Sequence, residues 1–234
     1  MFKRFRSNLG EAKGEIESAL RELIYEYSTS DRENRFVVGG AAEVIVAAGM
    51  RSAGIPVSNL GHAGDGADLR TYAQALARRY SIKAVFSKSS TSIRLVNFLG
   101  DGSGRSWTDP TLFLIPGVGI VFGHPGHEAL AAAVTSKGDA LVIPIGAVKR
   151  HAEERPELVV AMDLPWNPGT GTRVASVDVA QAILDKPHYP RLGSSLEPDS
   201  VVAQLLQVEG MLERGHLTRR EFDAMKARIL SGQA

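Results

Sequence analysis

The chain has 234 residues, enough for one domain with a sizeable core, or one domain with a small appendage. Hydrophobic residues make up 44% and charged residues 23%, and 27 Lys plus Arg against 26 Asp plus Glu leave a net charge of +1. That balance excludes a broad electropositive field, so charge does not indicate nucleic-acid binding, and the lack of cysteine excludes disulfides, thiolate metal sites and cysteine nucleophiles.

The start, MFKRFRSNLG, is basic and then polar, without the apolar stretch of a signal peptide. The most apolar segments, around residues 36–50 and 111–123, are shorter than the roughly 20 residues of a membrane span. These features lead us to expect a cytoplasmic protein with no transmembrane segment. Leu9, Ala12, Ile16, Ala19, Leu20, Leu23 and Tyr27 recur at helical spacing and predict an amphipathic helix within residues 1–30. Glu11, Glu15, Glu17 and Glu22 take its other face. Phe2, Lys3, Arg4, Phe5 and Arg6 also admit a membrane-surface anchor, but an acidic polar face favours packing on protein.

Residues 31–190 form the body. RFVVGG predicts a strand, AAEVIVAAGMRSAG a helix and IPVSNLG a second strand. DLRTYAQALARRYS has an amphipathic helical pattern, with Asp68 as N-cap. IKAVFSKS and TSIRLVNFL predict strands, and TLFLIPGVGIVFG a hairpin turning at Pro116-Gly117 and buried on both faces. HPGHEALAAAVTSKG predicts a helix ending at Gly138. ALVIPIGAV predicts a strand, KRHAEERP a polar loop, ELVVAMDLPW a hairpin, and VASVDVAQAILDK a helix stopped by Pro187. The prolines, glycine and serines around residues 191–198 have the composition of a linker. The expected fold is α+β, or α/β, with a mixed, largely antiparallel sheet flanked by helices and a C-terminal helical hairpin over 199–234.

That hairpin has clear punctuation. Leu205, Leu206 and Leu212 belong to the apolar stripe of its first helix, and Gly215 suits a helix C-cap. Thr218 through Glu221 fits a capping box, and Phe222, Met225, Ile229 and Leu230 continue the apolar period. The run LERGHLTRREFDAMKARIL resembles the SHOCT family, the short C-terminal domain of many bacterial proteins, within residues 199–231. Leu212, Gly215, Leu217, Thr218, Glu221, Phe222, Lys226 and Leu230 carry the match. The resemblance implies a bacterial protein in which the hairpin has an accessory role, often oligomerisation. A hairpin of this size buries too little apolar surface to stand alone, which favours homo-oligomer contacts through Leu205, Leu206, Leu212, Phe222, Met225, Ile229 and Leu230.

The body offers several candidate sites. In GIVFGHPGHEAL, Gly126, His127 and Glu128 could frame an anion site at a helix start, or His124 and His127 could share a metal. Pro125 and the lack of a third ligand of fixed spacing argue against the metal, and no metal set is assigned. A strand turning into a helix explains the same residues. VVGGAAEVIVAAG approaches a dinucleotide fingerprint through Gly39 and Gly40, but the glycines are adjacent and Val44 takes the place of the third. NPGTGTR resembles a phosphate loop without its lysine. The order of elements over residues 68–148 resembles restriction-endonuclease-like cores, which need an acid and an acid-x-lysine pair on adjacent strands to hold a divalent metal. Asp101 and Asp109 lie at strand edges there, yet TLFLI and GIVFG carry no acid-x-lysine. Ser87, Ser89, Ser90 and Ser92 have no identifiable base, and Arg78-Arg79, Lys149-Arg150 and Arg219-Arg220 are scattered.

The leading expectation is a self-assembling bacterial-type protein joined through its C-terminal hairpin. One alternative is an enzyme or binding domain for a phosphate-bearing, nucleotide-like ligand, its cofactor unassigned. The other is a nucleic-acid-binding or nuclease-like protein. A Glu/Asp/Lys cluster meeting in space would favour an enzyme, and a contiguous basic face would favour nucleic acid.

Overall fold

The computed structural model describes residues 1–29, 32–59, 67–73, 76–97, 106–138, 140–169, 179–194, 208 and 218–230. The apolar stripe of the N-terminus folds as two helices, α1 (Phe2–Asn8) and α2 (Ala12–Glu26). Phe2, Phe5, Leu9, Ala12, Ile16, Ala19, Leu20 and Leu23 are all buried, so both aromatic residues of the supposed membrane anchor lie inside the protein. The helix α3 (Arg32–Ser52) crosses α2. A Cβ on Gly49 would overlap the Ile16 side chain, so this glycine sets how closely the two helices approach. Among the described residues no helix is long and apolar enough to cross a membrane.

Among the described residues nine strands follow in sequence: β1 (Val57–Asn59), β2 (Leu69–Ala73), β3 (Leu76–Ala84), β4 (Ser92–Asn97), β5 (Thr111–Ile115), β6 (Gly119–Gly123), β7 (Thr135–Lys137), β8 (Ala140–Pro144) and β9 (Val159–Ala161). A six-stranded sheet runs β1-β2-β3-β5-β6-β9, antiparallel except where β3 pairs parallel with β5. A smaller antiparallel sheet runs β4-β8-β7. The fold is therefore α+β, with a mixed, largely antiparallel sheet. Along β5, Leu112 and Leu114 enter the core under the helices, while Phe113 and Ile115 enter the core shared with the small sheet. The expected β5–β6 hairpin, turning at Pro116-Gly117, is thus buried on both faces. Gly119, at φ +112, lies so close to β9 that a Cβ would overlap the Val160 carbonyl.

Five stretches differ from the sequence expectation. Residues 36–38 are part of α3, because Val38, Ala41, Ala42, Ile45 and Val46 keep one helical stripe through the glycine pair. The strand–turn–helix setting of a dinucleotide fingerprint is therefore absent there. Residues 69–73 and 76–80 pair as strands of β2 and β3 and are not helical; Leu69 and Tyr80 are cross-strand partners, both buried, and sheet pairing overrides the local pattern. The helix after His127 is the short α4 (Glu128–Ala132), and the following TSK is strand β7. KRHAEERP belongs mostly to a helix, α5 (Ile145–Glu154), whose buried stripe of Ala147, Val148, His151 and Ala152 begins upstream of the polar run. ELVVAMDLPW supplies one strand, β9, instead of a hairpin.

Helices α6 (Val179–Leu184) and α7 (Pro190–Ser194) pack on α2 and α3. Part of the stretch read as a linker is therefore folded, with Leu192 fully buried. The acidic face of α2 is what receives it. Glu22 bonds Lys186 and Tyr189, Glu11 pairs with Arg191, and Glu15 accepts the Arg191 and Leu192 N–H groups at 3.0 Å. At the C-terminus, α8 (Arg219–Leu230) begins at the expected capping box: Glu221 Oε2 accepts from the Thr218 N–H at 2.7 Å, and Thr218 Oγ1 accepts from the Glu221 N–H at 3.3 Å. Leu205, Leu206 and Leu212, in the hairpin's first helix, lie outside the described residues.

Asn167 ties these layers together. Its buried Nδ2 donates to the carbonyls of Ile24 (2.6 Å) and Tyr27 (2.8 Å), and its Oδ1 accepts from the N–H groups of Thr29 (3.3 Å) and Gly169 (2.9 Å). Its backbone N–H donates to Phe86 at 2.7 Å. Replacing Asn167 by Ala should lower the unfolding free energy by about 3 kcal/mol, because buried partners lose their bonds together. Urea titration reads this directly; a loss under about 1 kcal/mol would mean that water substitutes for the amide.

Candidate functional site

A cavity of about 680 Å³ opens between α3 and the end of β3. Glu43 of α3, Asp68 at the head of β2 and Lys83 of β3 reach it, with Arg35 and the turn at Ser87–Ser90 also lining it. The cavity exists because β3 changes partners. It pairs with β2 up to Tyr80 and with β5 from Ser81 onward. Where β2 ends, the Asp68 carboxylate takes the place of a strand: Oδ2 accepts the Ile82 N–H at 2.6 Å and lies 3.3 Å from Lys83 Nζ.

The electrostatics follow from this crowding. Burial pushes the Glu43 carboxyl up to about 7 from an ordinary 4.5; the Asp68 charge adds to the rise and Lys83 opposes it. The Asp68 carboxylate contacts both the Lys83 ammonium and the Ile82 N–H. A half-buried acid titrating near neutrality beside a carboxylate–ammonium pair is a common signature of a functional site. The sequence reading missed Glu43 and Lys83. It notes Asp68 only as a helix cap. A helix over residues 68–81 leaves β5 and β6 as the neighbouring strands on which an acid and a lysine would meet. The usable signal was Asp68 followed by Ser81-Ile82-Lys83, read as two adjacent strands.

Gly39 and Gly40 also line this cavity, though inside a helix. A Cβ built on either meets nothing within 4 Å. Each glycine in a helix interior costs about 1 kcal/mol relative to Ala, and no packing contact at these two positions requires it.

The other sequence candidates fall elsewhere. His124 Nδ1 accepts the Gly126 N–H at 2.8 Å, which commits that donor to the turn. The His127 ring lies 5.8 Å from that of His124 and 5.0 Å from that of His151, a residue not singled out in the sequence. His151 Nε2 is 3.3 Å from the Phe122 carbonyl. Burial lowers the pKa of both His127 and His151. Among the described residues no group of three or more His, Cys, Asp or Glu is arranged to hold a metal. Asp109 lies 3.9 Å from Arg79; Asp101 and most of NPGTGTR lie outside the described residues. The basic pairs sit on three separate elements, β3, α5 and α8. Phe222 and Ile229 are buried and Met225 is half-buried, while the Leu230 side chain is outside the described residues. Comparison with known proteins finds no matching family model, no matching curated protein and no matching solved structure.

The raised Glu43 group ties stability to pH. The folded state holds this proton more tightly than the unfolded chain, so its contribution is fully present below pH 4.5 and is lost as pH rises through about 7. In metal-free buffer, Glu43→Gln should therefore stabilise the protein at pH 8 by up to about 3 kcal/mol and change little at pH 4. Urea unfolding at the two pH values checks this. Equal effects at both would show that Glu43 is not held neutral.

Proposed function

We propose that the body is a nuclease-like protein that hydrolyses phosphodiester bonds with divalent-cation assistance at Glu43, Asp68 and Lys83. The observation that carries this reading is the meeting of an acid at the head of β2 with a lysine on the adjacent strand, inside a cavity that also holds a second carboxylate. Restriction-endonuclease-like cores call for an acid and an acid-x-lysine pair on neighbouring strands. Here Asp68 supplies the acid and Lys83 the lysine. Ser81 stands where the second acid belongs, and Glu43 brings a carboxylate from α3 instead.

The donor set suits a magnesium-like ion. Such ions keep several waters and use one or two carboxylates plus substrate phosphate, without needing a cage of three protein ligands. The crowding that keeps Glu43 protonated beside Asp68 is what a divalent counter-charge relieves. Asp68 and Glu43 would hold the ion, which supplies positive charge at the phosphate. Lys83 presents its ammonium to the phosphate oxygens, where charge grows as water attacks phosphorus and the ester oxygen leaves.

Incubation of the full chain with labelled DNA and RNA should give cleavage that needs Mg²⁺ or Mn²⁺. Asp68→Asn and Lys83→Met should each reduce it by about 100-fold or more. A folded protein that cuts neither polymer, or variants as active as the parent, would overturn the reading.

A second reading, for the C-terminus, is favoured by the capping box that starts α8 where the SHOCT-like pattern places it. We infer that the hairpin serves assembly of a bacterial-type protein. Phe222 and Ile229 are already buried within one chain, and the half-buried Met225 is the described member of the set with surface left to offer. Light scattering should find the full chain to be an oligomer and a chain ending at Leu192 a monomer. Equal subunit number in both would refute the assembly role.

A further inference from the structure

We propose that the cavity accepts one unpaired nucleotide, with its base against the α3 backbone at Gly39-Gly40 and its phosphate toward Asp68 and Lys83. This rests on the nuclease-like reading and names the form of substrate that reading leaves open. The cavity, about 680 Å³, lies within the size range of small-molecule sites, about 300–1,000 Å³, and holds a nucleotide with room to spare. A base pair still stacked in a duplex cannot enter it. The substrate is therefore a single strand, or a duplex position that has paid to unpair.

The walls suit a base. Val37, Val44, Ile82, Val85 and Phe86 make much of the lining apolar. The polar groups gather where the phosphate would sit, at Asp68 and Lys83. The glycine pair is the second observation. At Gly49 the fold demands glycine, because a Cβ would overlap Ile16; at Gly39 and Gly40 it demands nothing. Two adjacent helix-interior glycines, bare and lining the cavity, leave room for a flat group to lie on the helix. Alanine at either position would stabilise the helix and intrude on that room. Folding and binding should then respond with opposite signs, which no purely structural role for the glycines produces.

The test compares the parent with Gly39→Ala and Gly40→Ala, using fluorescein-labelled single-stranded and blunt duplex DNA of equal length, with Ca²⁺ in place of Mg²⁺. By fluorescence anisotropy the parent should bind the single strand at least tenfold more tightly than the duplex. Each alanine variant should melt about 2 °C higher yet bind the single strand about tenfold more weakly. Alanine variants that bind as the parent does, or a parent with equal affinity for both DNA forms, overturn the proposal. If Mg²⁺-dependent cleavage persists in either case, the nuclease-like reading survives without it. If the folded parent neither binds nor cuts nucleic acid, both fall together.

Discussion

The buried amide of Asn167 is the constraint on which the cavity depends. Its four side-chain hydrogen bonds reach the end of α2, the segment after it and Gly169, and its backbone N–H reaches Phe86. Thr29 and Phe86, two residues it holds, both line the cavity. The segment after α2 and the end of β3 are thus tied through one residue, whose side-chain amide has every donor and acceptor used. In a low-dielectric interior such a network is rigid when complete and costly when broken. A functional site built between two layers needs that kind of spacer, because apolar contacts alone allow the layers to slide.

The second constraint is the point where β3 exchanges β2 for β5. A strand that changes partners leaves backbone donors without a neighbour for a residue or two. Here the Asp68 carboxylate fills the gap at Ile82, and so an acid is fixed at the parting of two strands by the needs of the sheet itself. Lys83 is then brought to that acid by register. Glu43 is different. Nothing in the sheet requires it, and the interior raises its pKa at a cost to stability. A group that the fold tolerates and does not need is where function is best sought.

Much of the scaffold was legible from sequence. The N-terminal apolar stripe, the Pro116-Gly117 hairpin and the Thr218–Glu221 capping box were each visible because the deciding interactions lie within a few residues. The failures have a common cause. Residues 69–80 carry a helical period, yet β1 offers β2 a place in the sheet and β2 pairs with β3, and sheet pairing prevails. Phe36 to Val38 look like a strand, yet the stripe that continues through Ala41 and Ile45 draws them into α3. The acidic face of α2 reads as solvated, yet Lys186, Tyr189 and Arg191 cover it from a distance of more than 160 residues. In each case residues outside the stretch decided its structure.

The candidate site was hidden for the same reason, and also by its charge. Glu43, Asp68 and Lys83 come from a helix, a strand head and a neighbouring strand, so no fixed spacing joins them. With the Glu43 pKa raised to about 7 and Asp68 paired with Lys83, the cluster carries less negative charge at neutral pH than two ordinary carboxylates would. A chain of net charge +1 then shows neither a basic field nor an acidic one. Composition argued against a polyanion partner by asking for excess charge, whereas a compensated site presents its lysine to one phosphate at short range. Balanced overall charge therefore weighs against long-range attraction to nucleic acid and leaves chemistry on a single phosphodiester untouched.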